Sequence, residues 1–180
     1  MARAREESDP EQNPDAHADP EAVAREIVLR QLTASARSRQ ELATALAKKD
    51  VPEATAQAVL DRMEDVGLVD DSRFAEGWVA SRQQRRHLSR RALRHELQRK
   101  GVDGEVIGEV LEGVDDEDEY RAALDLAERK ARTMTTLEPH VRRRRLAGAL
   151  ARKGFGGEVV RRVLGDLDAG SDDAGADALP

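Results

Sequence analysis

Two runs of arginine are the residues of this chain most able to act on another molecule. The first holds Arg82, Arg85, Arg86, Arg90, Arg91, Arg94, Arg99 and Lys100, with Glu96 as the single acid among them. The second is Arg142, Arg143, Arg144 and Arg145, with Arg152, Lys153, Arg161 and Arg162 further on. Arginine far outnumbers lysine. Its planar guanidinium forks onto phosphate or carboxylate, so the chemistry on offer is recognition of anions. The bland alternative is a set of solvated helix faces, with arginine favoured near helix C-termini. Aromatic residues are 2% of the chain and do not interleave with the arginines, so base stacking on a single strand is not indicated.

Covalent chemistry has no comparable foothold. Neither G-x-x-x-x-G-K-[ST] nor G-x-G-x-x-G occurs, and Gly154-Phe155-Gly156-Gly157 lacks the lysine and hydroxyl residue of a phosphate cradle. Of the histidines, His17 lies near the start, His140 is far from the others, and His87 and His95 stand eight apart with no H-E-x-x-H. Cysteine is absent, which excludes disulfides and thiolate metal sites. Asp70 and Asp71 read as a helix cap rather than a cation site. The expectation is a non-enzyme with no metal and no cofactor.

The elements that must position the arginines repeat three times. Residues 38–60, 89–111 and 142–164 align without gaps, at offsets of 51 and 53. Leu42, Leu93 and Leu146 coincide, as do Leu46, Leu97 and Leu150, then Lys49, Lys100 and Lys153, then Val59, Val110 and Val163. A period of this length points to stacked units that cannot bury their apolar faces alone. Each copy reads as helix, tight turn, helix. Ser38 and Glu41 form a capping box ahead of Leu42 and Leu46. Gly101 and Gly154 stand after the matched lysines, where a helix end favours the left-handed conformation, and Asp50 takes that place in the first copy. Pro52 suits the first turn of the next helix. Asp70, Asp71 or Ser72 caps a helix carrying Phe74, Trp78 and Val79, and the acids of residues 115–119 oppose the positive start of another. No segment alternates like a strand, so the prediction is all-α: three tandem three-helix modules in an elongated array.

Charge divides the chain. Residues 22–164 carry 28 bases against 24 acids, while 1–21 and 165–180 are strongly acidic, which hides a mildly basic middle beneath a net charge of −6. Residues 1–21 and 169–180 are expected to be disordered tails, since neither holds enough apolar surface to offset ordering entropy. The modules are then expected at 22–82, 83–135 and 136–168. No apolar run approaches a membrane span, and the opening residues lack a signal-peptide core, so the expected location is the cytoplasm.

Residues 67–82, GLVDDSRFAEGWVASR, closely resemble the most recognisable stretch of the RecX family of bacterial recombination regulators. Gly67, Leu68, Val69, Asp70, Asp71, Phe74, Ala75, Trp78 and Arg82 fit the family pattern. Residues 93–102 and 143–155 look like the family's second and third units, so the resemblance covers residues 22–166. One departure is the stretch Gln83-Gln84-Arg85-Arg86-His87-Leu88, where many members have glycine. This makes the lead-in to the second unit stiffer and more basic.

The resemblance implies binding to RecA recombinase and to the RecA–DNA filament, with DNA itself as a further candidate contact. It implies restraint of filament extension, with lower ATPase, strand-exchange and coprotease activity, through occupancy and without a catalytic residue. On this reading Arg82, Arg85, Arg86, Arg90, Arg91, Arg94, Arg142, Arg143, Arg144 and Arg145 are the candidates for meeting RecA or DNA. Gly67, Asp70, Asp71, Phe74 and Trp78 are structural, and the protein is expected to act as a monomer. The competing readings are a helix-turn-helix transcriptional regulator and a helical-repeat scaffold for an unrelated protein. The first would show operator binding, but no dimerisation segment is evident.

Overall fold

The positions shared by the three copies are positions that the fold buries. In a computed structural model, which describes residues 19–176, Leu42, Leu93 and Leu146 are buried, as are Leu46, Leu97 and Leu150. Val59 and Val163 are buried, and Val110 is half-buried against the same core as Leu93. Each pair of leucines lies four apart on one helix and so shares a face.

The described residues form nine α-helices and no strand. They are α1 (Pro20–Ala34), α2 (Arg39–Ala47), α3 (Glu53–Asp65), α4 (Asp71–Arg86), α5 (Arg90–Arg99), α6 (Gly104–Glu112), α7 (Asp116–Ala131), α8 (Pro139–Arg152) and α9 (Gly157–Ala176). Side-chain caps start several of them. Asp19 accepts from the Glu21 N–H, Asp70 from Arg73, Ser89 from Ala92, Asp103 from Glu105 and Asp115 from Asp118. Such caps satisfy donors that a helix start leaves unpaired.

Two compact units result. One holds α1, α3 and most of α2 around Ala24, Val28, Leu42, Leu46, Leu60 and Met63. The other runs from Asp70 onward, together with Ser38–Gln40, and contains two cores. Phe74, Ala75, Val79, Leu93, Leu97 and Ile107 build one of these from α4, α5 and α6. Ala123, Leu126, Ala127, Leu150, Phe155 and Val163 build the other from α7, α8, α9 and the turn before α9.

These cores correct the module boundaries read from the sequence. Helix α4, assigned to residues 22–82 with the first hairpin, packs with the second. Helix α7, assigned to residues 83–135, packs with the third. Each linking helix joins the hairpin that follows it, because its apolar face finds that hairpin's leucines. The outer limits shift as well. Helix α1 begins at Pro20, capped by Asp19, and the α9 backbone continues to Ala176 through part of the segment assigned as a tail. The remainder of the two acidic tails, residues 1–18 and 177–180, lies outside the described residues.

The turn glycines have a second reason to be glycine. Gly101 and Gly154 both adopt positive φ, +75° and +88°, and Asp50 reaches 57° in the first copy. A Cβ on Gly154 would also lie 2.5 Å from the Ser89 hydroxyl and 3.2 Å from the Ala92 Cβ. One on Gly101 would lie 2.3 Å from the Gln40 Cβ. The turn is a socket into which the start of another helix fits.

Candidate functional site: arginines held and arginines presented

The two arginine runs divide by their partners. Glu96 gathers the first group. Its Oε2 accepts from Trp78 Nε1 at 3.0 Å and from Arg82 Nε at 2.8 Å, and the Arg82 guanidinium lies 3.8 Å from the centre of the Trp78 ring. Lys100 Nζ sits 4.6 Å from the same ring, and Phe74 packs beside it at 5.7 Å between centroids. Trp78 is half-buried and Phe74 buried. Arg86 reaches Glu96 only at 4.0 Å and is more exposed. The one acid in the run therefore ties Arg82 and Trp78 into the fold. The remaining motif residues sit just upstream. Gly67 makes the turn after α3 at φ +69°, Asp70 caps α4, and the Asp71 carboxylate accepts from the Arg39 N–H at 2.8 Å.

Arg90 is held more tightly. It donates to Glu119, to Asp116 and to the Val114 carbonyl. Burial opposes its charge, but the hydrogen bonds to Glu119 and Asp116 outweigh this and raise its pKa above the ordinary value. Arg143 donates to the Leu164 carbonyl at 3.3 Å and to the Asp168 carboxylate. Arg162 stacks 3.8 Å from the Tyr120 ring centre and pairs with Glu117 at 3.5 Å.

Arg85, Arg91, Arg94, Arg99, Arg144, Arg145 and Arg152 are exposed, and none has a carboxylate partner among the described residues. Several of them converge. Arg91, His95 and Arg99 recur every four residues along α5, so they share a face. With Arg152 they line a recess of about 400 Å³. Arg144 and Arg152 likewise share a face of α8. With Arg145, Lys130 and Met134 they line a second recess, of about 310 Å³. Arg152 borders both, so a cationic band runs from α5 across to the start of α8. The other end of the α5 face borders a recess of about 390 Å³, lined by Arg91 and Arg94.

The socket at Gly154 sets this meeting of helices. Ser89, fully buried just ahead of α5, donates its backbone N–H to the Lys153 carbonyl at 3.3 Å. That contact brings the end of α8, and with it Arg152, against the α5 face. His87 closes the joint from the other side. It ends α4 in the left-handed conformation at φ 46°, is buried, and meets the Arg129 guanidinium through Nε2. Burial first, and then the charge of Arg129, lowers its pKa below the ordinary imidazole value. Asp125 opposes the shift and Lys153 adds to it.

Of the ten arginines singled out from the sequence, the fold presents Arg85, Arg91, Arg94, Arg144 and Arg145. It ties Arg82, Arg90 and Arg143 to acids, Arg86 loosely, and Arg142 is half-buried. Arg99 and Arg152, members of the two runs but outside those ten, line the band with Lys130 and His95. The four-residue spacing of Arg91, His95 and Arg99 was the available signal for three of the band's members. The arrangement can attract and fork onto a polyanion. Among the described residues there is no group of three or more potential metal ligands, and no helix is long and apolar enough to cross a membrane.

Comparison with known proteins decides what kind of chain carries this band. Residues 24–63, 70–111 and 116–164 match the family models of the first, second and third three-helix domains of RecX. This chain belongs to the RecX family. The boundaries of the three matches agree with the sorting of α4 and α7 into the cores that follow them. The regulatory protein RecX of Streptomyces coelicolor is 47% identical over 146 residues, covering 81% of this chain and 78% of its own. That of Mycobacterium avium is 45% identical over 145 residues, covering 80% and 84%. The crystal structure of RecX from Lactobacillus salivarius matches with a TM-score of 0.76 at 21% identity, covering 85% of this chain and 99% of that one. A second RecX crystal structure matches at 0.71 and 23% identity, covering 81% and 71%. The chain is thus a RecX-family regulator with the tandem three-helix fold.

Proposed function

We propose that this RecX-family protein binds RecA and its DNA filament and restrains filament extension, so that ATPase, strand-exchange and coprotease activity fall. The observation that carries this reading is the band of unneutralised arginines on α5 and α8, on a chain whose relatives are named as regulators. A filament with DNA along its axis offers phosphates and acidic protein surface together. Tandem modules, working as a monomer in the cytoplasm, can meet several of its subunits at once and combine weak contacts through effective concentration. Arg91, Arg94, Arg99, Arg144, Arg145 and Arg152 are the contacts of this reading, with Arg85 and Arg86 beside them. Arg82 and Arg90 are engaged within the fold and act by placing the others, and Arg143 is paired with Asp168 at the surface. No chemical step is required of the protein.

The test is RecA's DNA-dependent ATPase with the regulator added below RecA's concentration. Hydrolysis is expected to slow as filament growth is limited, and the effect to weaken with added salt. If RecA from the same bacterium is untouched at about tenfold molar excess of regulator in moderate salt, far above the multivalent range, the reading fails.

A further inference from the structure

The acidic end of α9 has no part in that reading. The match to the third domain ends at residue 164, yet α9 continues to Ala176. The continuation carries Asp166, Asp168, Asp172 and Asp173, Asp177 follows in sequence, and no base occurs after Arg162. This strip starts alongside α8. Leu167, half-buried, packs on the third core. The Tyr120 hydroxyl donates to Asp166 at 2.6 Å, which fixes the helix against α7. With the helix so anchored, Asp168 falls against Arg143, which also donates to the Leu164 carbonyl. Arg143 and Asp168 are about equally open to solvent, 46% and 50%, so an anion arriving from outside can reach the pair.

We propose that the acidic end of α9 is an intramolecular competitor for the basic start of α8. Asp168, the carboxylate against Arg143, stands where a phosphate would otherwise meet the run at residues 142–145. This rests on the reading that the basic run of α8 meets a polyanion. Exposed ion pairs are weak and screened by salt, so a dense row of phosphates can displace the strip whereas a sparse anion cannot. The strip would then set a threshold: α8 engages only where phosphates are closely spaced, as along a DNA strand.

The experiment uses the full chain and a labelled oligothymidylate of about 30 nucleotides as the probe. Asp168→Asn, Asp172→Asn and Asp173→Asn together remove three of the five acidic charges after Arg162 with isosteric amides, and Asp166 is kept because it anchors the helix through Tyr120. A control carries Glu26→Gln, Glu53→Gln and Asp65→Asn on α1 and α3, which changes the net charge equally. At about 50 mM salt the strip variant is expected to bind about fivefold tighter than the parent and the control less than about twofold tighter, both gains shrinking near 300 mM. Asp168→Asn alone should give part of the gain, with helicity by circular dichroism unchanged. In an Arg143→Ala background the strip substitutions should give little further gain. Equal gains in strip and control variants, or a full gain without Arg143, overturn the inference and leave the functional reading standing. Failure of every variant to bind oligonucleotide at low salt overturns the inference, while the RecA ATPase measurement decides the functional reading separately.

Discussion

Arg90 turns into the fold, where Glu119, Asp116 and the Val114 carbonyl receive it, while Arg91, the next residue of α5, is exposed at the edge of an open recess and forms no ion pair among the described residues. One residue of rotation along a helix, about 100°, separates the two faces. The difference teaches that a run of like charge need not be one site. Residues 142–145 divide in the same way: Arg143 meets Asp168, whereas Arg144 and Arg145 line the band. The held arginines keep helices in register, and the presented ones are left to face a partner.

Substitutions can break this contrast from either side. The largest effect is expected on the held side. Trp78→Ala removes a half-buried ring, takes the indole N–H donor from Glu96 and leaves Arg82 without its stacking partner, which should cost about 3 kcal/mol of stability in urea unfolding. Unchanged stability with lost RecA inhibition would instead make Trp78 a partner contact. Next comes the presented side. Arg91→Glu, Arg99→Glu and Arg152→Glu together should leave the unfolding midpoint nearly unchanged and weaken inhibition of RecA by at least about tenfold. Loss of folding in that variant would place these side chains in the packing. Arg90→Ala should reverse the pattern and cost about 1 kcal/mol. The figure stays small because the arginine is 39% exposed, although Glu119 is only 12% exposed and would be left unpaired. If Arg90→Ala abolished inhibition without any loss of stability, held and presented arginines would not be distinct classes.

Much of the fold was legible in the sequence because the repeat copies its apolar positions. Leu42, Leu93 and Leu146 could be aligned by eye, and all three are buried. The left-handed turns at Gly101 and Gly154, and the costlier one at Asp50, followed from the rules of helix ends. The close approach of Ser89 to Gly154 did not, because it is a contact between segments far apart in sequence. The site was less legible for the same reason. The spacing within α5 showed which arginines share a face, but Arg90's partners are 26 and 29 residues away on α7, and Arg143's is 25 residues away on α9. Only the packing of those helices shows which charges are already matched. The placement of α4 and α7 went astray because a repeat fixes a period and leaves open where each unit begins.

The two histidines of this region sharpen the contrast at the smallest scale. His95 stands exposed on the band, while His87 is buried at the end of α4 between Arg129, Lys153 and Asp125. Nε2 of His87 meets the Arg129 guanidinium, a donor, so it serves as the acceptor and the ring must be neutral. Burial and the two cations lower the folded pKa below 6.5. In the unfolded chain the imidazole takes up a proton near that ordinary value, so the unfolded state binds more protons in the window below it. The contribution of His87 to stability is therefore whole above about pH 6.5 and is lost as pH falls through the lowered folded value. His87→Asn keeps a residue that tolerates the left-handed backbone and removes the titration. Unfolding by urea from pH 7.5 down to pH 5.5 should show the parent losing stability more steeply than the variant, by less than about 1 kcal/mol. Parallel slopes would mean that the protonated ring is accommodated at the joint between α4 and α5. His87 would then be one more presented charge and would no longer count among the held ones.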